Sequence, residues 1–243
     1  MGLKKKIRLK TIPQHIAIIL DGNGRWAKRR NLPRHMGHKQ GAVNLQKITL
    51  EAHQLGVNYL SVYAFSTENW KRPKDEIDYL MKLPKVFEEE YKDAFKEYDI
   101  RVVFSGRRDR LSKENIDLIN RVEEKTKDRQ GLTLNVCIDY GSQYEITEAA
   151  KSLAKEVKDG ALKIEDIDIL KMQSHLYTKD LPDVDLLIRT SGEIRLSNFL
   201  LWQVAYAEFY FTKVHWPAFK ARHLYKAIKH FQKRERKFGG LKG

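Results

Sequence analysis

The chain has 243 residues, enough for one large domain or two small ones, and its 42% hydrophobic content is ordinary for a globular protein. Lysine and arginine outnumber aspartate and glutamate by 46 to 32, and the resulting +14 favours acidic partners: phosphorylated metabolites, nucleic acid or an anionic membrane. A single cysteine, Cys137, excludes an intrachain disulfide and suits a reducing compartment, and no apolar run approaches the ~18 residues of a membrane span, so a soluble chain is expected.

Residues 1–12 carry Lys4, Lys5, Lys6, Arg8 and Lys10 and read as a basic, flexible arm. The apolar run that follows, Ile16–Leu20, is too short for a signal-peptide core and reads as a buried strand. Further strands are predicted at Tyr59–Phe65, Ile100–Phe104, Leu132–Ile138, Val184–Ile188 and Glu208–Phe211. Helical periodicity lies between them at 37–55, 76–98, 112–129, 143–158 and 164–177, with a last helix at 218–237. Strand and helix alternate without a repeat, a low-complexity linker or a composition shift. That pattern predicts one α/β domain around a mainly parallel sheet, with several strands apolar on both faces.

Ligands in such folds collect outside the carboxyl ends of the strands, and three polar clusters are placed there. The first is Asp21-Gly22-Asn23-Gly24-Arg25-Trp26. Its glycines allow backbone N–H groups to approach an anion, Arg25 adds charge, and Asp21 is suited to holding a divalent metal against phosphate oxygens. Asn-Gly is also a hairpin signal, but Trp26–Arg30 does not alternate as a second strand requires. The second cluster, Tyr63–Pro73, offers Arg72 for phosphate charge, aromatic rings for an apolar body, and Ser66 or Asn69 for proton relay, although Ser and Thr there also suit a helix cap. In the third, Arg189, Arg195 and Ser197 form a candidate diphosphate clamp, with Glu193 as a neutralising acid.

Arg34 and His38 sit near a helix start, where phosphate contact is more natural than metal binding. Glu208 lies among aromatic and apolar neighbours, and needs either a metal shared with Asp21 or an arginine partner. Ile77, Leu80, Met81, Pro84, Phe87, Tyr91, Phe95 and Tyr98 form an apolar stripe at helical spacing, which by pattern alone is core packing. No phosphate-binding G-x-x-x-x-G-K-[ST] loop and no cysteine-rich zinc pattern occurs.

The motifs HIAIILDGNGRW (His15–Trp26), Gly37-His38, YAFSTENWKRP (Tyr63–Pro73), DLLIRTSGEIRLSN (Asp185–Asn198), FLLWQVAYAEFYF (Phe199–Phe211) and RERKFGG (Arg234–Gly240) resemble, in order and over nearly the whole chain, the cis-prenyltransferases of the undecaprenyl diphosphate synthase family. The resemblance implies a catalytic domain at 13–243 built on a parallel six-stranded sheet flanked by helices, usually as a homodimer. It implies repeated condensation of isopentenyl diphosphate onto an allylic diphosphate such as farnesyl diphosphate, with Mg2+ as cofactor. A long-chain product such as undecaprenyl diphosphate, the lipid-carrier precursor for cell-wall synthesis, would follow.

By that resemblance Asp21 positions magnesium, with Glu208 completing the metal site. Gly22, Asn23, Gly24, Arg25, Arg34 and His38 hold the allylic diphosphate. Trp26, Ser66, Thr67, Glu68, Trp70 and Arg72 contact substrate, and Asn69 accepts a proton. Arg189, Arg195, Leu196 and Ser197 belong to the isopentenyl diphosphate loop. The stripe at 76–98 becomes a tunnel wall, and side chains on this helix and on the strand around Leu132 are expected to set the tunnel's depth. A cytoplasmic enzyme that meets the inner face of the plasma membrane to unload product is implied, and no nucleic-acid partner. Two departures stand out: Ile194 replaces a polar residue common in this loop, and Asp139-Tyr140-Gly141-Ser142 replaces the usual Asn-Tyr-Gly-Gly.

Overall fold

The computed structural model describes residue 7 and residues 11–234; within the second long helix it omits the side chains of 86, 87, 90–92, 94 and 95. Six strands form one sheet: β1 His15–Ile19, β2 Tyr59–Ser66, β3 Arg101–Ser105, β4 Thr133–Tyr140, β5 Leu186–Arg189 and β6 Glu208–Phe211. Their order is β3-β4-β2-β1-β5-β6, and every neighbouring pair is parallel. Every residue of β1, β4 and β5 is buried, as expected where helices or loops cover both faces.

The helices are α1 Asn23–Lys28, α2 Arg34–Gln54, α3 Lys74–Glu97, α4 Lys113–Thr126, α5 Ser142–Lys158, α6 Ile169–Gln173 and α7 Ala221–Phe231. Alternation along β1 sends Ile16 and Ile18 into a large core with residues of α2, α4 and α7, while Ala17 and Ile19 join Tyr140, Phe199, Leu200 and Val204 on the other side. A buried polar chain fixes the register across four strands. His15 Nδ1–H donates to the Pro182 carbonyl, leaving Nε2 2.8 Å from the Ser61 hydroxyl. Ser61 Oγ accepts from Asn135 Nδ2 at 3.0 Å, and Asn135 Oδ1 accepts from Ser105 at 2.8 Å.

Some expected boundaries moved. Short helix α1 lies in a stretch where the sequence suggested no helix; it follows Gly22 and ends at Lys28 with Arg29 as its C-cap, before Asn31 takes a left-handed φ of 53°. The expected helix at 164–177 is instead a 3₁₀ turn, Ile164–Asp166, followed by the five residues of α6, because Asp168 interrupts as a cap accepting from Lys171 N–H at 2.7 Å. Most of the basic arm, the Phe87, Tyr91 and Phe95 side chains, and the RERKFGG motif past Arg234 lie outside the described residues.

Chain order reverses direction at β1, with β2 on one flank and β5 on the other. The loops leaving these three strands therefore converge at the switch point, on the carboxyl rim of the sheet.

Candidate active site

Asp21 sits just past β1 at this rim. Its backbone carbonyl accepts from the Thr190 hydroxyl at 2.7 Å and from Trp216 N–H at 2.9 Å, so the loop after β1 is stitched to the loops after β5 and β6. Its carboxylate accepts from Arg25 Nη2 at 3.1 Å and from Arg189 Nη2 at 3.0 Å. Burial opposes ionisation of Asp21, but the hydrogen bonds from Arg189 and Arg25 outweigh it and hold the carboxyl below its ordinary range. Gly22 is obligatory on two counts. Its φ is 99°, and a Cβ there would stand 2.5 Å from Ser191 Oγ and 2.8 Å from His215 Nδ1.

Arg189 is 4% exposed and uses its guanidinium as a brace. Besides Asp21, it donates through Nη1 to the Arg195 carbonyl at 2.5 Å and to Ser197 Oγ at 2.7 Å, which shapes the 190–198 loop. Glu193 bridges Arg25 at 2.9 Å and Arg195 at 2.6 Å. Hydrogen bonds from Arg195 and then Arg25 keep its carboxyl below the ordinary range. In the free protein, then, the cations of the first and third clusters are held by Asp21 and Glu193. An anion entering here would find these donors already assembled.

A second set of cations lies across the rim, organised by a residue that sequence reasoning missed. Glu76, in the first turn of α3, is 2.8 Å from Arg72 Nη1, 3.0 Å from Arg34 Nε and 3.3 Å from His38 Nε2. Arg72 and Glu76 are an i,i+4 pair, a signal present in the sequence; that Arg34 and His38 of α2 meet the same carboxylate is decided by packing of α2 on α3. His38 is buried, and its Nε2 lacks a well-aligned partner. Burial pushes its pKa down despite Glu76, with Arg72 and Arg34 adding to the effect, so the imidazole is neutral.

Ser66 and Asn69 cap each other at the 3₁₀ turn Thr67–Lys71, Asn69 Oδ1 accepting from Ser66 N–H at 3.1 Å. A β-bulge at Ala64 turns the end of β2 toward the cleft. Below the rim opens a cavity of about 790 Å³. Its mouth is lined by Asp21, Gly22, Asn23, Gly24, Arg25, Arg34, His38, Ser66, Glu68, Asn69, Arg72, Arg189, Arg195 and Ser197. Its walls are Leu45 of α2, Leu80, Met81 and Pro84 of α3, Val102 and Phe104 of β3, Leu118 and Val122 of α4, and Val136 and Ile138 of β4. The α3 stripe is thus cavity wall in part, while Ile77 and Tyr98 pack against the core.

Five expected site residues do not line this cavity: Trp26, Thr67, Trp70, Leu196 and Glu208. Trp26 is covered by Arg30, whose guanidinium lies 4.3 Å from the ring centroid. Thr67 packs against Gly141, and Leu196 joins the core on the other face of the sheet. Trp70 donates its indole N–H to the buried Asp139 at 2.8 Å, and Arg110 clasps the same carboxylate. The unusual Asp139 is therefore compensated by a guanidinium, and its place is behind the loop.

Glu208 requires a correction. It is the first residue of β6, paired with Leu186 and so level with Ile16 at the amino end of the sheet. Asp21 is five residues further along at the carboxyl rim, about 17 Å away along the strand direction at ~3.3 Å per residue. One chain cannot bring both carboxylates to one ion; Glu208 instead lies 3.6 Å from Arg234, the arginine-partner alternative. The strand that follows Leu132 does reach the cavity, through Val136 and Ile138, but Leu132 itself is not among the lining residues. It is 1% exposed in the core.

Residues 19–239 match the family model described as "Putative undecaprenyl diphosphate synthase". The chain belongs to this family. It is 52% identical over 237 residues to an isoprenyl transferase of Streptococcus thermophilus, covering 96% of this chain and 95% of that protein. An isoprenyl transferase of Bacillus subtilis is 51% identical over 238 residues, covering 98% and 92%. Among solved structures, lavandulyl diphosphate synthase from Lavandula x intermedia, in complex with dimethylallyl diphosphate, superposes with a TM-score of 0.92 at 36% identity, over 95% of this chain and 100% of that one. A probable undecaprenyl diphosphate synthase from Campylobacter jejuni gives 0.77 at 37% identity, over 94% and 99%. The six-stranded parallel sheet is the fold that this chain shares with these solved structures. Among the described residues no helix is long and apolar enough to cross a membrane.

Proposed function

We propose that the chain condenses isopentenyl diphosphate repeatedly onto farnesyl diphosphate, releasing a long-chain polyprenyl diphosphate such as undecaprenyl diphosphate. The observation that carries this reading is the continuity of a doubly cationic rim with one apolar cavity. Among the described residues, a diphosphate held at the rim has this largely apolar cavity directly below it for its hydrocarbon tail. Burial there stabilises the tail by ~0.8 kcal/mol per CH₂.

In this reading the allylic diphosphate lies over the Gly22–Gly24 turn, between Arg25 and the Arg34–His38–Arg72 set. Arg189, Arg195 and Ser197 present the five-carbon unit. Breakage of the allylic C–O bond moves negative charge onto the departing diphosphate, so guanidinium groups fixed beforehand stabilise the transition state more than the ground state. Arg189, braced by three acceptors, has little freedom left to lose. The new C–C bond is completed by loss of a proton from the isopentenyl unit, which we assign to the Ser66–Asn69 wall.

Asp21 fits a magnesium ion: it is ionised, rigidly placed and beside the proposed phosphates, and this ion commonly takes one or two carboxylates plus phosphate oxygens. When bound, the ion would withdraw charge from the leaving diphosphate. Exposed Phe209 on edge strand β6 and exposed Ile169 and Leu170 on α6 favour association with a second copy. Incubation with labelled isopentenyl diphosphate, farnesyl diphosphate and magnesium, followed by sizing of the extracted lipid, tests the reading. A ladder ending in a long product supports it; no incorporation, or a single condensation only, refutes it.

A further inference from the structure

From Gly22 to Leu50 the chain contains no aspartate or glutamate but seven lysines and arginines, a lopsided stretch in a protein with 32 acids. Four of these cations already have places in the site or on the body of α2. The remaining three, Lys28, Arg29 and Arg30, stand together at the corner where α1 gives way to α2, all exposed. Among the described residues none of the three has an ion-pair partner, and Arg30 is steadied over the Trp26 ring.

The corner also has an apolar tip. Asn31, in its left-handed conformation, closes α1 with Leu32 N–H donating back to the Ala27 carbonyl at 3.0 Å, and Pro33 opens α2. That tight reversal leaves Leu32 and Met36 each 39% exposed beside the three cations. Both helices meeting here line the cavity mouth, through Gly24 and Arg25 on one side and Arg34 and His38 on the other.

We infer that the α1–α2 corner is a docking face for an anionic lipid bilayer, with Lys28, Arg29 and Arg30 at the headgroups and Leu32 and Met36 in the acyl boundary. Charge complementarity selects the partner's sign, and the exposed apolar pair beside the cations selects a bilayer over a nucleic acid, whose phosphate backbone gives apolar side chains nothing to bury against. Docking here sets the cavity mouth at the membrane surface, so a prenyl tail would leave one apolar environment for another. The assignment deepens the prenyl-diphosphate reading of the cavity and rests on it for its purpose, not for its binding.

Sedimentation with vesicles of phosphatidylcholine containing roughly one-third phosphatidylglycerol tests it, since each headgroup-level cation contributes about fivefold to partitioning. The full chain should bind these vesicles, bind pure phosphatidylcholine far less, and weaken as salt rises. Lys28→Gln/Arg29→Gln/Arg30→Gln should lose about a hundredfold in partitioning. Leu32→Ser/Met36→Ser should lose about tenfold in a way salt does not restore. The same charge removed on α5, Lys151→Gln/Lys155→Gln/Lys158→Gln, should leave binding near native. Equal loss from the α5 variant, or native binding by the corner variants, overturns the proposal. So does retention of single-stranded RNA without retention by vesicles. Turnover of farnesyl diphosphate in detergent, measured alongside, separates the two readings: turnover without vesicle binding sinks the docking face alone, and vesicle binding without turnover sinks the enzymatic reading alone.

Discussion

Replacing Arg189 by lysine keeps the positive charge and removes the planar fork. The guanidinium donates in two directions, through Nη1 to the Arg195 carbonyl and Ser197 Oγ and through Nη2 to Asp21. A single ammonium on a shorter reach can satisfy one side only, and position 189 is nearly closed to water. Each hydrogen bond to a charged group contributes ~1.5–3 kcal/mol, and Asp21 is partly exposed, so the lower end applies on that side. The loss should total about 3 kcal/mol, which for a chain of this size lowers the melting temperature by about 6–12 °C. Catalysis should suffer separately. One paired contact to a diphosphate oxygen is lost, which corresponds to about 10–150-fold in kcat/KM. Thermal melts and isopentenyl incorporation measured on Arg189→Lys and, beside it, Arg195→Lys make the comparison internal. Arg195 is exposed and its guanidinium pairs with Glu193, a contact that lysine can keep, so its variant should melt like the native protein while still losing activity. If Arg189→Lys melts within about 2 °C of native and keeps more than half its turnover, the brace is not what holds this loop.

Stability should fall with acid in two stages. Burial lowers the folded pKa of His38, so the unfolded chain takes up a proton first; that contribution is complete above the ordinary value of about 6.5 and is lost as pH falls toward the depressed one. The folded Asp21 carboxyl is also depressed, and its contribution is present above about 4 and lost below. Urea midpoints for native and His38→Asn between about pH 7 and about 4 should therefore diverge in slope; parallel curves would count against a buried neutral imidazole. Val122→Trp, filling the cavity between α4 and the sheet, should shorten the product, whereas Leu132→Trp should destabilise the core without selecting a shorter chain; identical chain-length distributions for Val122→Trp and native would refute the route of the cavity. In Gly37→Ala the new Cβ would stand 2.1 Å from the Asn23 carbonyl oxygen, forcing α1 off α2. A cost of ~1–3 kcal/mol and a raised KM for the allylic substrate are expected, and a variant unchanged in both melt and KM would show that this contact is slack.

Much of this protein was legible in its sequence because the signals are local. Apolar runs gave six strands, and the rule that ligands gather beyond parallel strand ends placed Asp21, Arg72 and Arg189 on one rim before any contact was known. The same rule, applied to Glu208, would have rejected it: the first residue of a parallel strand lies at the amino edge, away from the rim. What the chain could not announce is which distant groups share a neighbour. Glu76 looked like one more acid in a helical first turn until α2 laid Arg34 and His38 against it. Asp139 looked like a lost asparagine until Arg110 and Trp70 closed on it. Sequence periodicity reports the face each residue prefers; only the packed molecule decides who stands opposite, because that depends on crossings and side-chain volumes contributed by segments far away in the chain.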